Sequence, residues 1–347
     1  MQTCLESLLA QSGVDYEVIV VNDGSSDRTT QIAASFPEVK VVDAGNLEPG
    51  WSGKTHAMAV GAMQARGEWF LFTDADTFHL PGALAGALAE AQEKKAALLS
   101  YSPQQEVHGF WEKSVMPVIF SDLAMSYRPS EVCDPASPAA AANGQFLMIS
   151  REAYEAAGGH RAVASSLLED VALAGLVKRS GRRIVFRYGA DRVRTRMYRG
   201  FSHLREGWTK NLALLFPSSV RLAIVRFVEF VLIFGSALLA AWAGIKGRTE
   251  YAFVALGLCA ILAARFWYRI RRAHFPMQAN AAAIFGLPLF AYLLLRSRLF
   301  YRRGQVGWKG RTYPTDSTIE ASSGRRAGNR APVREIERGS RPVPGSR

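Results

Sequence analysis

Phe72-Thr73-Asp74-Ala75-Asp76-Thr77 is the stretch on which the reading of this chain turns. An apolar run, Glu68-Trp69-Phe70-Leu71-Phe72, ends by presenting two carboxylates one residue apart. Along a strand, residues i and i+2 point to the same side, so Asp74 and Asp76 converge where the strand runs out. A hard divalent cation, Mg²⁺ or Mn²⁺, is held in such a place by one or two carboxylates and completes its shell with substrate phosphates. Taken alone the tripeptide is equally well a polar turn, and its neighbours choose between the two.

Outward from that edge, short apolar segments alternate with helical ones. Met1 to Gln11 reads as a helix stopped by Gly13, and Glu17-Val-Ile-Val-Val-Asn22 as a buried strand. Val39 to Asp43 is a second strand and Thr55 to Arg66 a helix of small residues. Glu68 to Thr73 is a third strand, Pro81 to Lys94 a helix with Pro at its first position, and Ala96 to Tyr101 a fourth strand. The pattern predicts an α/β fold with a mostly parallel sheet covered by helices on both faces. Ligands of such sheets bind at the carboxyl ends of the strands.

Three further segments fall at those ends. Val21-Asn-Asp-Gly-Ser-Ser-Asp-Arg-Thr29 follows the first visible strand, and Ser25, Ser26 or Asp27 is a natural N-cap for the next helix. Capping does not explain Asp23 at the strand tip, an acceptor suited to a nucleotide base or ribose. Glu48-Pro-Gly-Trp-Ser-Gly-Lys-Thr-His-Ala57 is a glycine-punctuated loop entering a helix. Glu48 stands where a Walker A loop requires Gly, yet Lys54 near a helix N-terminus suits a diphosphate as well as it suits solvent. Glu169-Asp170 opens a helix that ends in Lys178-Arg179, an arrangement that dipole complementarity alone would justify. A transferase that attacks a sugar carbon with a hydroxyl also needs a carboxylate to take the proton, and Asp170 is placed to be that base.

The apolar residues are unevenly distributed over the 347 positions. Long apolar runs from 223 to about 301 give three candidate spans, Leu222–Ile245, Tyr251–Trp267 and Ala279–Leu295, the last interrupted by Gly286-Leu287-Pro288. Arg226 and Glu229 lie one helical turn apart in the first, close enough to pair. Arg265 to Arg272 and Arg296 to Arg303 both favour the cytoplasmic side; three simple crossings cannot place both there, whereas a re-entrant third segment can. A buried helical domain is the alternative. The net charge of +12 owes half its excess to residues 303–347, where ten Arg/Lys oppose four acids. Basic flanks of this kind mark a membrane face, and with no nucleic-acid motif beside them nucleic-acid binding is not expected. Cys4, Cys133 and Cys259 are too scattered for a disulfide framework or a structural zinc site. The organisation expected is a domain over 1–220, a membrane region over 221–302, and a basic, largely disordered tail over 303–347.

In their order, the strand with Asn22-Asp23-Gly24-Ser25, the Gly53-Lys54 loop, Asp74-Ala75-Asp76 and Glu169-Asp170 resemble the family 2 glycosyltransferases of GT-A fold, over roughly residues 4–215. The resemblance implies Asp23 on the nucleotide, Asp74 and Asp76 on the metal and donor, Asp170 as catalytic base, and Asn143-Gly144-Gln145-Phe146 with Gly158-Gly159-His160 on the acceptor side. Arg205 and Lys210 would meet the diphosphate, and Trp208 would stack on the acceptor or sit at the membrane interface. Gln305 to Tyr313 is similar to a segment of relatives acting on carotenoid or hopanoid-type lipids, in which Lys309 and Arg311 would fold back over the site. The expected activity is inverting transfer from a nucleotide-diphosphate sugar to a membrane lipid by a cytoplasmic domain anchored in the inner membrane. A polyprenyl-phosphate acceptor and a non-catalytic scaffold are the alternatives.

Two departures qualify this. The Gln-x-x-Arg-Trp of processive synthases is replaced here by Arg205-Glu-Gly-Trp208. Family members usually begin with a strand and a Pro-x-x-Asn-Glu segment ahead of the first helix; this chain starts in that helix, so the expectation is an N-terminally truncated domain whose sheet has a gap lined by unpaired backbone.

Overall fold

The computed structural model describes residues 1–305 and the backbone at 307–308 and 311–312. The strands are β1 Val18–Asn22, β2 Val39–Asp43, β3 Trp69–Phe72, β4 Thr77–His79, β5 Leu98–Ser102, β6 Gln104–Gln105, β7 Leu147–Ser150, β8 Ile184–Tyr188, β9 Val193–Thr195, β10 Gly307–Trp308 and β11 Arg311–Thr312. Interleaved with them are α1 Gln2–Leu9, α2 Thr29–Ala34, α3 Gly53–Gln64, α4 Ala83–Glu93, α5 Phe110–Ser126, α6 Pro129–Cys133, α7 Arg151–Ala156, α8 Glu169–Arg179 and α9 Phe201–Leu215. The apolar region adds α10 Ser219–Ile245, α11 Thr249–Ile270, α12 Met277–Ala282 and α13 Gly286–Arg302.

The central sheet runs β3-β7-β5-β8. Its strands are buried on both faces, so period-2 alternation sends neighbouring apolar residues into different cores. Leu98, Leu147, Ile149 and Ile184 pack with Leu173 and Val177 of α8 and Ala62 of α3. Leu99, Met148 and Val185 pack with Ala87 and Ala91 of α4. The expected α/β layering is present, but the pairing is mixed. β5 and β8 are parallel, as are β1 and β2, whereas β7 is antiparallel to both β3 and β5. β7 comes back from the α5–α6 excursion and slots between two strands running the other way, a connection that sequence alternation does not reveal. A small sheet, β4-β9-β6, stands beside it.

Among the described residues β1 pairs only with β2, and β3 only with β7. Between them runs a cavity of ≈ 1820 Å³ lined by Val18, Ile19 and Val21 on one side and Trp69 to Phe72 on the other. Among the described residues, the facing edges of β1 and β3 are thus separated by open space instead of a strand. Two local expectations shift. Pro81 does not open α4: Leu80-Pro81-Gly82-Ala83 is a turn closed by Ala83 N–H on Leu80 O at 3.0 Å, with Gly82 at φ 73, the conformation for which Pro and Gly in that order are suited. The backbone N-cap of α2 is Arg28, and Asp27 Oδ1 accepts from Thr29 N at 3.0 Å.

Among the described residues, three stretches are long and apolar enough to cross a membrane: Ser219–Ile245, Thr249–Ala273 and Met277–Arg302. They are not equivalent. The third is 50% buried, against 22% and 11% for the others, because α12 and α13 lie along α5 and α9 of the first domain. A Cβ at Gly286 would collide with the Ser114 carbonyl, so the glycine that interrupts the apolar run is a point of backbone contact between α13 and α5. At the other end of α13, Ser297 Oγ donates to Thr209 O at 2.7 Å and Tyr301 OH to Lys210 O at 2.7 Å. α10 and α11 form a helical hairpin whose base is fixed by four charges, of which Asp122 and Arg269 are buried and Arg226 and Glu229 partly so. Arg226 Nε donates to Asp122 of α5 at 2.9 Å, and Arg226 and Arg269 both reach Glu229 Oε2, at 2.9 and 2.7 Å. Arg269 at the end of α11 and Arg296 of α13 both contact the first domain, through Asp122 and Thr209.

Past Arg302, β10 and β11 pair antiparallel and β10 rests against α9, so the backbone here does fold back on the first domain. Lys309, the Arg311 side chain and the stretch expected to be disordered lie outside the described residues.

Candidate active site

The acidic turn joins the two sheets: β3 ends at Phe72, β4 begins at Thr77, and Thr77 N–H closes the turn on Asp74 O at 3.3 Å. Asp74 and Asp76 both line the large cavity, as do Asp23, Lys54 and Glu169. Lys54 belongs to the first turn of α3, whose N-cap Ser52 accepts from Thr55 N at 3.3 Å. The extended Ser52 backbone and the small Gly53 bring the Lys54 stem over the strand ends. Its ammonium bridges two acids, Asp74 Oδ1 at 2.9 Å and Glu169 Oε1 at 3.0 Å. Lys54 is 40% exposed and Glu169 only 7%, so the bridge links the cavity to the interior.

Asp170 follows directly. Its Oδ2 accepts from Gly144 N at 2.7 Å and its Oδ1 from Val171 N at 2.8 Å. A Cβ on Gly144 would lie 3.0 Å from Lys54 Nζ and 3.5 Å from both Asp170 Oδ2 and Glu169 Oε1. Only a glycine lets the strand-side backbone come this close to three charged groups.

The environment drives the two adjacent carboxyls apart. Burial, reinforced by the neighbouring Glu169 charge, pushes Asp170 up to about 6, against the pull of Lys54 and the two backbone N–H donors. Burial acts on Glu169 in the same direction, but Lys54 outweighs it and holds Glu169 below the ordinary range. Lys54 loses to burial but is raised well above its usual value by Asp74, Glu169 and Asp170. One carboxyl is thus poised to exchange a proton near neutrality while its neighbour stays a fixed charge.

Of the residues expected at the site, Asp23, Lys54, Asp74 and Asp76 line one cavity; Asp170 is not among its lining residues, but it adjoins Glu169, which is, and is held by Gly144 N–H. Lys210 also lines it. Arg205 does not; its guanidinium lies over the Phe201 ring at 5.7 Å. Trp208 neither stacks at the site nor sits at an interface: at 1% exposure it is core, 5.7 Å from the Tyr198 ring and 6.2 Å from Phe120. The helical period that spaces Leu204, Trp208 and Leu212 is the signal for that. Gly207 is small because a Cβ there would collide with Tyr198. His160 is likewise buried, with Nδ1 2.9 Å from Tyr154 OH. In the linear sequence Glu169 is only half of a dipole pair, and nothing there links it to Lys54.

Residues 1–157 match the model of Glycosyl transferase family 2. The chain carries a Glycosyl transferase family 2 domain over those residues. Its match with the 4,4'-diaponeurosporenoate glycosyltransferase of Staphylococcus aureus (strain USA300) is 28% identical over 317 residues, covering 89% of this chain and 83% of the relative. The strain MRSA252 protein of that name gives the same figures. Among solved structures, S. aureus TarS 1–349 in complex with UDP-GlcNAc overlaps 87% of each chain at 15% identity and a TM-score of 0.39. Glucosyl-3-phosphoglycerate synthase from Mycobacterium tuberculosis overlaps 58% of this glycosyltransferase and 68% of its own chain at 19% identity and a TM-score of 0.37. Overlaps this loose say nothing about the site.

Proposed function

We propose that this glycosyltransferase moves a sugar from a nucleotide-diphosphate donor to a lipid acceptor taken from the membrane, inverting the anomeric carbon. The observation that carries the reading is the Lys54 bridge, which gathers Asp74, Glu169 and, through Gly144, Asp170 around one end of the cavity. Asp23 takes the base or ribose, and Lys54, at a helix N-terminus, takes the diphosphate. Asp74 and Asp76 suit Mg²⁺ or Mn²⁺. They are two carboxylates on one cavity wall, and Asp74 already attracts a cation in Lys54. Among the described residues no third His, Cys, Asp or Glu joins them to hold a metal, so diphosphate oxygens would complete the shell. A bound ion would neutralise charge on the leaving diphosphate.

Asp170 accepts the proton of the acceptor hydroxyl as that oxygen bonds to the anomeric carbon; the bond from that carbon to the diphosphate breaks, and its electron pair leaves with the nucleoside diphosphate. α10 and α11 cross the membrane as a hairpin, with α12 and α13 and the basic clusters on the cytoplasmic side beside the catalytic domain. Asp170→Asn should lower kcat by about 10²- to 10⁴-fold while donor affinity, read by calorimetry, stays within twofold. Unchanged turnover would remove Asp170 as base. A second reading has one specific support: the staphylococcal relatives are named for a carboxylate. An acceptor that is already an anion needs no base, and activity surviving in Asp170→Asn with an anionic but not a hydroxyl acceptor would select it.

A further inference from the structure

At the back of the cavity, which Thr73 and Gln145 help to line, a set of mostly buried polar side chains connects the acidic turn to the Gly144–Asp170 contact. The turn Asp74-Ala75-Asp76 is held from behind by its own carbonyls. Thr77 Oγ1 donates to Asp74 O at 2.7 Å, and Thr195 Oγ1, from β9 of the small sheet, donates to Asp76 O at 3.2 Å. Thr73, at the end of β3, donates to Gln145 O at 2.8 Å and stands 2.9 Å from Thr77 Oγ1. The Gln145 side chain closes the loop. Its Nε2 donates to Thr195 Oγ1 at 3.5 Å and its Oε1 accepts from Gln105 Nε2 at 3.3 Å. One residue earlier, Gly144 N–H holds Asp170 Oδ2. Asn143 fixes this segment by accepting from Gln145 N at 3.0 Å, and Ser100 Oγ accepts from Asn143 N at 2.8 Å.

Thr77, Gln105, Gln145 and Thr195 are 2 to 6% exposed. An unmet donor or acceptor buried to that degree costs about 1–3 kcal/mol; among these side chains Gln105 Oε1 alone has no partner, and a network whose members constrain one another leaves few alternative arrangements. Capping or strand formation does not require this set. Thr195 belongs to the small sheet and Gln145 to the turn leading into β7; Thr195 reaches the Asp76 carbonyl directly, and Gln145 is tied to the acidic turn through Thr195 and through Thr73 on its own carbonyl.

We propose that Gln145 and Thr195 are positioning residues, forming a strut that sets the Asp74-Ala75-Asp76 turn at a fixed place relative to Asp170. The proposal rests on the reading of those acids as donor and base groups, but its structural content does not. The strut makes the acidic turn and the Gly144–Asp170 contact a single unit, so loosening one end loosens the other, while a purely local role for Thr195 in the β4–β9 pairing would leave residues 143–146 unaffected.

The test uses the full chain in detergent or nanodiscs, with Thr195→Val, Gln145→Leu and the rescue variant Thr195→Ser. Amide hydrogen exchange needs neither donor nor acceptor. In Thr195→Val the strut requires exchange to quicken at least about threefold both in 73–79 and in 143–146. Quickening confined to 193–197 and its β4 partner would overturn it, as would no change. Kinetics supply the second readout: kcat should fall about tenfold in Thr195→Val and Gln145→Leu and the midpoint for Mn²⁺ activation rise several-fold, with acceptor KM held within twofold in Thr195→Val and Thr195→Ser restored to within about twofold of the parent. Loss of kcat in Thr195→Ser equal to that in Thr195→Val would also overturn it, since the hydroxyl would then not be the cause. If the parent chain transfers no sugar, the proposed function fails on its own, and the exchange result still decides the strut.

Discussion

The two walls of the central cavity are built to opposite rules. On the side of Asp170, both carboxylate oxygens accept backbone N–H groups, Lys54 spans two acids, and a Cβ at Gly144 would lie 3.0 to 3.5 Å from all three charged groups. On the side of Asp23, β1 has one strand partner, and the loop beyond it is exposed. That loop is shaped by short side-chain turns, Ser25 N on Asn22 Oδ1 and Thr29 N on Asp27 Oδ1, each 3.0 Å. Transition-state charge is stabilised most by groups that do not have to move, whereas a nucleotide is held by contacts that tolerate adjustment. Under the proposed function, the difference in construction would correspond to a division of roles, with chemistry on the rigid wall and binding on the open one.

A pair of glycine substitutions breaks the comparison most directly. Gly144→Ala puts a methyl group 3.0 Å from the Lys54 ammonium, which must move away from Asp74 or Glu169. A fall in kcat of roughly tenfold to a hundredfold is expected, given how steeply catalysis depends on placement, with the thermal unfolding midpoint little changed. Gly24→Ala on the opposite wall meets nothing within 4 Å and suffers only from its φ of +68. That strain is worth about 1–2 kcal/mol, so stability should drop slightly while kcat holds. Equal kinetic effects in the two variants would mean that the walls are not functionally distinct.

The rigid wall also makes a signed pH prediction. A carboxyl raised to about 6 is a competent base only above that pH, so with a hydroxyl acceptor kcat/KM should climb tenfold per pH unit below about 6 and level off above it. Removing the like charge in Glu169→Gln lowers the Asp170 pKa and moves this limb to lower pH. Removing the opposite charge in Lys54→Gln moves it to higher pH. Rate profiles of the three proteins check the ordering, and a limb unmoved by both changes would show that another group is titrating.

How much of this was legible in the sequence depends on the range of the interaction. The strands β1, β2, β3 and β5, the helix α8 with charges at its two ends, and the Arg226–Glu229 pair come from local alternation and spacing, and all are present. The gap beside β1 followed from a resemblance rather than from any residue present. What local pattern could not supply is pairing at long range. β7 is antiparallel in its sheet because of where α5 and α6 carry the chain. The third apolar stretch has span-like composition, and only its packing on α5 and α9 shows what it does. Residue type alone suggests a binding or interfacial role for Trp208, but its i−4 and i+4 neighbours Leu204 and Leu212 already place it on a buried helical face. Lys54 was legible as a cation at a helix start, while its bridge to Glu169, over a hundred residues away, required the fold.

The smallest expected effect is at the far edge of the open wall. Asp23 lies at the tip of β1, partly exposed, on a strand whose inner edge faces the cavity instead of another strand. If the wall contributes binding alone, Asp23→Asn weakens donor and transition state equally, and the change appears as a rise in donor KM of about five- to twentyfold with kcat within twofold, the pattern of uniform binding loss. A kcat loss comparable to that in Gly144→Ala would place Asp23 among the groups that act in the transition state. The open wall would then have to close around the donor before reaction, and the contrast between the walls would describe the donor-free state only.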